Sequence, residues 1–361
     1  MDKKILKPCY RNDSILDHNQ LNKLHELTPI IFGASAFQYL NAGSEIGLFE
    51  LLYYSGPKKK SELMIELSLK ERAIDILLLG NTSLNLINKE KSFYKNSLII
   101  QTIFENNIWD IFKDLIAFEQ YIVYLGQFDF TDSLRKNTNI GLQRISNTSS
   151  SLYKSFNKNK KLEKIFYNYM NSWTRLSNYY LIKYINFNNV NRLLDVGGGT
   201  AINAIALAKK YPKLKITVFE IDASAKIAQK NIQSSGLSNQ INVIHGDIFK
   251  DQFPTGYDCV LFSHQLVIWT PEENIELLHK AYKILSSNGL VIIFNSISND
   301  DGKGPLLAAL DSVYFASIPS EGGMIYSWNQ YEEWLKKSKF QKISRINCHN
   351  WTPHGIIKAY K

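Results

Sequence analysis

Residues 193–212 read LLDVGGGTAINAIALAKKYP: a short apolar run, three consecutive glycines, then an amphipathic segment closed by a proline. The run has the length of a buried strand, and apolar residues in the following segment recur three and four apart, as on a helix. A strand that enters a helix through glycines lets a ligand approach the main chain, and the helix start offers N–H groups. That arrangement suits a nucleotide-like cofactor. The stretch is not GxGxxG, and no Lys-Ser or Lys-Thr pair follows it, which disfavours the usual dinucleotide fingerprint and the P-loop.

The same alternation continues to the C-terminus. KITVFEI, INVIHGDI, YDCVLFSHQ and GLVIIFNSI are apolar runs, helices are expected at 201–211, 223–235 and 271–286, and QKISRINCHN with GIIKAYK completes seven runs. Short apolar runs between amphipathic helices predict an α/β fold with a mostly parallel seven-stranded sheet covered on both faces, its last two runs close enough to pair antiparallel at the edge. Open α/β sheets bind ligands where their strands end. Asp195, Gly197, Gly198 and Gly199 fall there, as does Glu220, one β-α unit further on, where a carboxylate can accept hydrogen bonds from both ribose hydroxyls. Asp247, at the end of the third strand, is placed to meet an adenine amino group, with Ile248 against the ring. Each carboxylate has the alternative reading of a helix cap. Three at consecutive strand ends favour a shared ligand.

The chain has 361 residues, 45% hydrophobic and 21% charged, which is material for two domains. No run approaches the ~20 apolar residues that span a bilayer. MDKKILKPCYRNDS carries charge without the apolar core of a secretory signal, so a cytoplasmic protein with no membrane partner is expected. Cys9, Cys259 and Cys348 are odd in number and far apart, in no metal-ligand spacing, and read as reduced thiols with neither a disulfide framework nor a zinc site. The formal charge of +9 is scattered, its densest runs being Lys58–Lys60 and Lys158, Lys160, Lys161 and Lys164, so no nucleic-acid partner is expected.

Residues 24–53 show helical periodicity. After SGPKKK, Ser61 reads as the cap of a short helix, a second helix ends near Gly80, and LINKEKSFYKNS has the form of a two-stranded wing. Helix, turn, helix and wing outline a winged helix. The second helix, ERAIDILLLGNTSLNL, offers aliphatic residues rather than base-reading ones, so association rather than DNA reading is expected, with a DNA-binding regulator as the competing class. Residues 107–186 are helical again, and concentrate Tyr167, Tyr169, Met170, Trp173 and Tyr179. These read as helix core or as the wall of a site for a flat aromatic ligand.

In order and spacing, DVGGGTA, FEI, GDIF and the helix opening W-T-P-E-E, together with FQYLNAGSEIGLFELL near the N-terminus, resemble the class I S-adenosylmethionine-dependent methyltransferases. Within that class they look like the small-molecule O-methyltransferase family with an N-terminal dimerisation domain. The resemblance covers almost the whole chain. It implies a winged-helix-like, mainly helical dimerisation domain at 1–105, a helical connector contributing to the substrate pocket at 106–187, and a Rossmann-like catalytic domain at 188–361. It also implies a homodimer, with S-adenosyl-L-methionine as methyl donor and S-adenosyl-L-homocysteine as product. Asp195, Gly197, Gly198 and Gly199 would line the methionine and ribose part of the cofactor, Glu220 the ribose, Asp247 and Ile248 the adenine, and Ser263 would lie near the sulfonium. Met170 and Trp173 match a helix that contacts substrate in relatives, and Asp311, Tyr314 and Phe315 fall on a helix bordering the acceptor pocket.

One departure bears on mechanism. Members of the family that deprotonate a phenol carry His-Asp-Trp where this chain has Val267-Ile268-Trp269, and the carboxylate that orients the histidine is here Asn295. An aliphatic side chain cannot take a proton. His264, three residues earlier, is the candidate displaced base and substrate contact, or else a strand-end histidine bonded to a backbone carbonyl. Arg175, Asn178, Tyr326, Trp328 and His354 are further polar candidates. The first expectation is methylation on oxygen of a small aromatic acceptor, phenolic or tyrosine-derived, with in-line positioning supplying much of the acceleration. A carbon or nitrogen of a tyrosine-like precursor asks less of a base and is the alternative, in keeping with a similarity to peptide-antibiotic methyltransferases that modify tyrosine derivatives. A cofactor-assisted cyclase, decarboxylase or hydroxylase on the same fold is the third reading.

Overall fold

The computed structural model describes residues 23–146, 152, 159–349 and 351–361; Cys9 and Lys158 lie outside them. The chain divides into two compact units, Met1–Ile116 and Ala117–Lys361.

The first unit contains α1 (Thr28–Ile31), α2 (Gly33–Ile46), α3 (Leu48–Tyr54), β1 (Lys58–Lys59), α4 (Lys60–Glu66), α5 (Glu71–Ser83), β2 (Ile87–Glu90), β3 (Phe93–Asn96) and α6 (Leu98–Glu105), and α7 (Trp109–Phe118) begins in it and ends in the second unit, which takes Phe118. Gly47 takes a φ of 84°, which ends α2 and starts α3 in a new direction. The wing is a hairpin with Ile87 opposite Asn96 and Glu90 opposite Phe93, and β1 joins the far side of β3. Two local expectations are corrected. The cap of α4 is Lys59, whose N–H is met by the Glu62 carboxylate at 2.6 Å, so Ser61 already lies inside the helix. The second helix does not stop near Gly80 but runs to Ser83. Gly80 is there for packing: a Cβ at this position would collide with the Tyr39 ring, so its bare backbone is what lets α2 lie against α5.

The second unit begins with a π-helical turn, Glu119–Val123, followed by α8 (Tyr124–Gly126), α9 (Phe130–Lys136) and α10 (Lys160–Tyr184). The alternating region follows as β4 (Arg192–Val196), α11 (Ile202–Lys210), β5 (Lys215–Glu220), α12 (Asp222–Ser234), β6 (Ile241–His245), β7 (Tyr257–Ser263), α13 (Pro271–Ile284), β8 (Leu285–Ser296), α14 (Leu306–Ser317), α15 (Trp328–Lys337), β9 (Gln341–Asn347) and β10 (His354–Tyr360). Seven strands lie in the order β6-β5-β4-β7-β8-β10-β9. The first five are parallel, and β10 runs antiparallel to both β8 and β9. Leu193, Leu194, Val218, Val260, Leu261, Ile292 and Ile293 are buried, as strands covered on both faces require.

This topology positions the site in two ways. The chain order reverses at β4, flanked by β5 and β7, so the glycine turn after β4 adjoins the ends of both neighbours. Because β10 runs backwards, its first residue, His354, pairs with Ser296 and lands at the edge where the parallel strands finish. The loop after β7 is closed off by α13, which starts at Pro271 with a Thr270–Glu273 capping box. Gly80→Val should destabilise the first unit by ~1–3 kcal/mol in denaturant unfolding, the usual cost of overpacking, and a loss under about 0.5 kcal/mol would contradict this account of α2 on α5.

Candidate active site

Asp195 is buried near the end of β4, and neither carboxylate oxygen has a hydrogen-bond partner among the described residues. Burial, and then the charge of Glu220, push it up to about 7. The turn beside it needs glycine for two reasons. Gly197 and Gly199 take φ of 67° and 59°, and a Cβ on Gly197 would collide with the Gln265 amide while one on Gly198 would lie 2.6 Å from Asp195 Oδ2. The Gly199 N–H donates to Glu220 Oε2 at 2.9 Å and the Ile221 N–H to Oε1 at 2.8 Å, so this carboxylate ties the glycine turn to the end of β5. Burial still holds Glu220 above the ordinary carboxylate range. Ser263, buried at the end of β7, accepts from Asn203 Nδ2 at 2.8 Å. Asp247 Oδ1 accepts from the N–H groups of Phe249 and Lys250 at 3.0 and 3.3 Å, which closes a turn and caps no helix, and Ile248 is buried beside it.

A second group of residues lies along α10. Phe166, Tyr169, Trp173 and Ser177 recur three and four apart and are all buried, so one face of the helix looks into the protein. Phe118 stacks on Tyr169 with ring centroids 3.6 Å apart, and Tyr314 of α14 meets Phe118 edge-on at 5.2 Å. Tyr314 also packs edge-on against Phe315 at 5.0 Å. Asp311 lies one turn before Tyr314, and Glu119 directly follows Phe118. Burial, and then the charge of Glu119, raise Asp311 to about 7; Glu119 keeps solvent access, yet the surrounding protein raises it to about 7 as well. Burial drives the Tyr169 hydroxyl well up, and both carboxylates add to the effect, so this end of the helix face is acidic. Met170 and Asn178 are half-buried on the same helix, and Arg175 is exposed.

At the other end of that face stand two histidines. Ser177 Oγ donates to the Trp173 carbonyl at 3.0 Å and lies 3.3 Å from His264 Nε2, while His264 Nδ1 lies 3.2 Å from His354 Nε2. His264 adopts a φ of 56°, rare for a residue with a Cβ, and its backbone N–H bonds the Phe294 carbonyl at 2.9 Å. Burial lowers His264 to about 4; burial, and then His264, take His354 well below the usual imidazole value. Both rings are neutral near pH 7. The Phe294 and Trp173 rings stand 4.9 and 5.6 Å from the His354 ring.

These positions revise several expectations. His264 has both ring nitrogens in hydrogen bonds, so it offers no free lone pair to an acceptor as the displaced base would have to. Val267 packs with Ile268, Ala308 and Ile325. Asn295 lies on the opposite face of β8 from Phe294 and donates to the Tyr331 hydroxyl at 3.1 Å, away from the histidines. Tyr326 donates to the carbonyls of Trp269 and Gly322 at 2.6 and 2.9 Å, and the Trp328 ring covers Gly355, so both belong to the core. Glu119 carries no sequence signal, and His354 is distinguished from the other polar candidates only by the reversed direction of β10.

Residues 129–341 match the O-methyltransferase domain family. The chain is 50% identical to an L-tyrosine C(3)-methyltransferase of Streptomyces lavendulae over 93% of its own length and 92% of the relative's. The apo crystal structure of the S-adenosylmethionine-dependent methyltransferase SibL is similar with a TM-score of 0.84 at 41% identity, covering 94% of this chain and 99% of that one. The crystal structure of human N-acetylserotonin methyltransferase in complex with S-adenosylmethionine shares the fold, with a TM-score of 0.80 at 21% identity over 97% and 99% of the two chains.

The unpaired carboxylate has a consequence for stability. Asp195 rises from 3.8 to about 7 on folding, so over that interval the folded chain binds more protons than the unfolded one, and stability falls as pH rises through it. Glu220, Asp311 and Glu119 act with the same sign. In protein without cofactor, Asp195→Asn should flatten the decline of the denaturant midpoint between about pH 4 and about pH 7; an unchanged slope would show that Asp195 is not the strained group.

Proposed function

The chain belongs to the O-methyltransferase domain family of S-adenosylmethionine-dependent methyltransferases, and from that premise we propose that it methylates a ring carbon of a tyrosine-like aromatic amino acid. The sequence placed oxygen first and carbon second. The order reverses here because the 50% identical relative acts, by its name, at C3 of L-tyrosine.

The cofactor side fits its ligand. An unpartnered buried carboxylate and a glycine turn that is crowded at Gly197 and Gly198 and left-handed at Gly199 suit a cationic, nucleoside-bearing molecule lying against the main chain. Bound there, S-adenosylmethionine supplies an electrophilic methyl group on a sulfonium. Asp195, Gly197, Gly198 and Gly199 would hold its methionine and ribose part, and Glu220 would receive the ribose hydroxyls on lone pairs left after its two backbone bonds. Asp247 and Ile248 would meet the adenine, and Ser263 would lie near the sulfonium.

The observation that carries the acceptor reading is the inner face of α10. Tyr169, Trp173 and Ser177 follow one another at four-residue spacing. Eight residues of helix cover ~12 Å. Asp311 and Glu119 stand at the Tyr169 end and the histidine pair at the Ser177 end. A molecule with an ammonium at one end, an aromatic ring in the middle and a hydroxyl at the other matches that order. Asp311 and Glu119 would take the ammonium, whose charge would favour both carboxylates in their ionised form. Phe118, Tyr169, Trp173 and Tyr314 would enclose the ring, with Met170 beside them, and holding it still in a near-attack geometry is the main contribution to rate.

Residues 1–105 would carry self-association as a homodimer; Ile30, Ile31, Phe32, Leu79, Leu98 and Ile99 among them are each more than half exposed, which supports that reading. Residues 106–187 would shape the acceptor site and 188–361 hold the cofactor. Among the described residues no helix is long and apolar enough to cross a membrane, and the cytoplasm is the compartment in which Cys259 and Cys348 would stay reduced.

With labelled methyl donor and a panel of phenols, catechols and aromatic amino acids, NMR of the products should place the methyl on the ring carbon beside the hydroxyl of an amino acid. Methyl on oxygen, or equal turnover of acceptors lacking the amino group, would contradict the proposal. Asp311→Asn should raise the KM of the amino acid by about 10-fold or more, as expected for a charged hydrogen bond, with a smaller effect on kcat.

A further inference from the structure

We propose that Nδ1 of His354 is the proton acceptor for the hydroxyl of the aromatic acceptor, and that Ser177 and His264 are positioning residues that fix its tautomer. The hydroxyl rests on the acceptor reading above; the tautomer does not.

The assignment follows from counting protons along the chain of contacts. A serine hydroxyl has one proton to give. Ser177 directs it to helix carbonyls, Trp173 O at 3.0 Å and Thr174 O at 3.3 Å, which can only accept. The 3.3 Å contact between Ser177 Oγ and His264 Nε2 therefore needs its proton from the imidazole, so His264 carries Nε2–H. A neutral ring with Nε2–H has its lone pair on Nδ1. The 3.2 Å contact from His264 Nδ1 to His354 Nε2 is then donated by His354, which leaves the lone pair of His354 on Nδ1. That nitrogen is shielded from water and has no hydrogen-bond partner among the described residues. Buried polar atoms are rarely left so, and those that are call for a role.

The surroundings leave the lone pair free to accept, at some expense of its basicity. His264, at the end of β7, is the titratable group that acts on His354 among the described residues; Trp173 of α10 and Phe294 of β8 supply neutral walls. Burial keeps both imidazoles unprotonated at neutral pH, so Nδ1 is not blocked by a proton. The strand register places His354 opposite Ser296, at the same sheet edge as Ser263 and the glycine turn. The role the family gives to the position of Val267, in the loop after β7, is thus taken by a residue of β10.

The proton balance closes. The O–H bond of the acceptor breaks and Nδ1–H forms, the pair left on oxygen spreads to the adjacent ring carbon, and the charge gained by His354 is eased through its Nε2–H bond to His264. Once that carbon has gained its methyl group and shed its own hydrogen as a proton to water, the oxygen takes the proton back from His354. One methyl group enters, one proton leaves, and the histidine is restored.

Nitrogen-15 NMR of histidine-labelled wild-type protein reads the tautomers without turnover. Both His264 and His354 should appear as Nε2–H forms, His354 Nδ1 should carry the signature of a bare lone pair, and added L-tyrosine with S-adenosylhomocysteine should move that signal towards a hydrogen-bonded value. A proton on His354 Nδ1 in the free protein, or no response to a ligand that binds, overturns the proposal. Ser177→Ala should release the lock and populate the Nδ1–H form of His354; an unchanged spectrum would exclude the positioning role. His354→Ala should lower kcat by about 100-fold or more with KM little changed, and a loss of only about threefold would contradict a base at this position. If wild-type protein turns over no tyrosine-like amino acid, the acceptor reading fails while the spectrum still decides the tautomer.

Discussion

A carboxylate buried at the end of β4 with no hydrogen bond of its own is the constraint around which the sheet edge is organised. Removing a charged group from water without a partner is costly, and the folded chain meets the cost in part by holding Asp195 near its protonated form. The neighbouring atoms leave no room to relieve it. A Cβ on Gly198 would press against Asp195 itself, the nearby charge of Glu220 adds to its strain, and the Gly199 and Ile221 N–H groups that could have served Asp195 are given to Glu220 instead. The sheet can sustain the strain because both of its faces are closed by apolar cores, and because β4 is an interior strand, with β5 and β7 fixing its end from both sides. On the proposed reading the unsatisfied group is a binding determinant, supported by the stability of everything beneath it.

The acceptor side, as proposed, obeys a different rule. No single strand end would supply it; α10 would contribute a ladder of aromatic residues, the π-helical turn a carboxylate, α14 a second carboxylate and β10 a histidine. Its two ends differ in charge while its middle is aromatic, which is a template for orientation. A methyl donor that is already electrophilic demands little beyond a nucleophile held in line, so a site of this kind can exchange the family's base for another without losing the reaction class. On the proposal made above the histidine pair would make that exchange across the ends of β7 and β10, with the left-handed backbone of His264 as the local cost of bringing its ring into line.

How much of this was legible depended on the range of the interaction. The glycine turn and the seven strands could be read because strands buried on both faces leave unbroken apolar runs, and the three helices between them fell within two residues of their expected limits. Val267 was informative as a departure because its position was fixed by the adjacent Trp269. Gly80 was misread as a helix stop because the reason for it is Tyr39, on another helix. Tyr326 and Trp328 could not be sorted from true site residues, since a polar aromatic looks the same in sequence whichever way it faces. His354 needed the register of β10, a long-range fact: the residue is remote in sequence from His264 and adjacent to it only because the last strand turns back between β8 and β9. Glu119 needed the π-helical turn, for which the sequence has no local marker.

The central claim is that Asp195 waits, strained and half-protonated, for the positive charge of the cofactor. Calorimetric titration of S-adenosylhomocysteine into wild-type and Asp195→Asn protein, in two buffers of different ionisation enthalpy at a pH near 7, tests it directly. The ammonium of the ligand should lower the Asp195 value, so wild-type protein should release protons on binding and the variant should release measurably fewer. Equal release from the two proteins, or none from the wild type, would contradict the account.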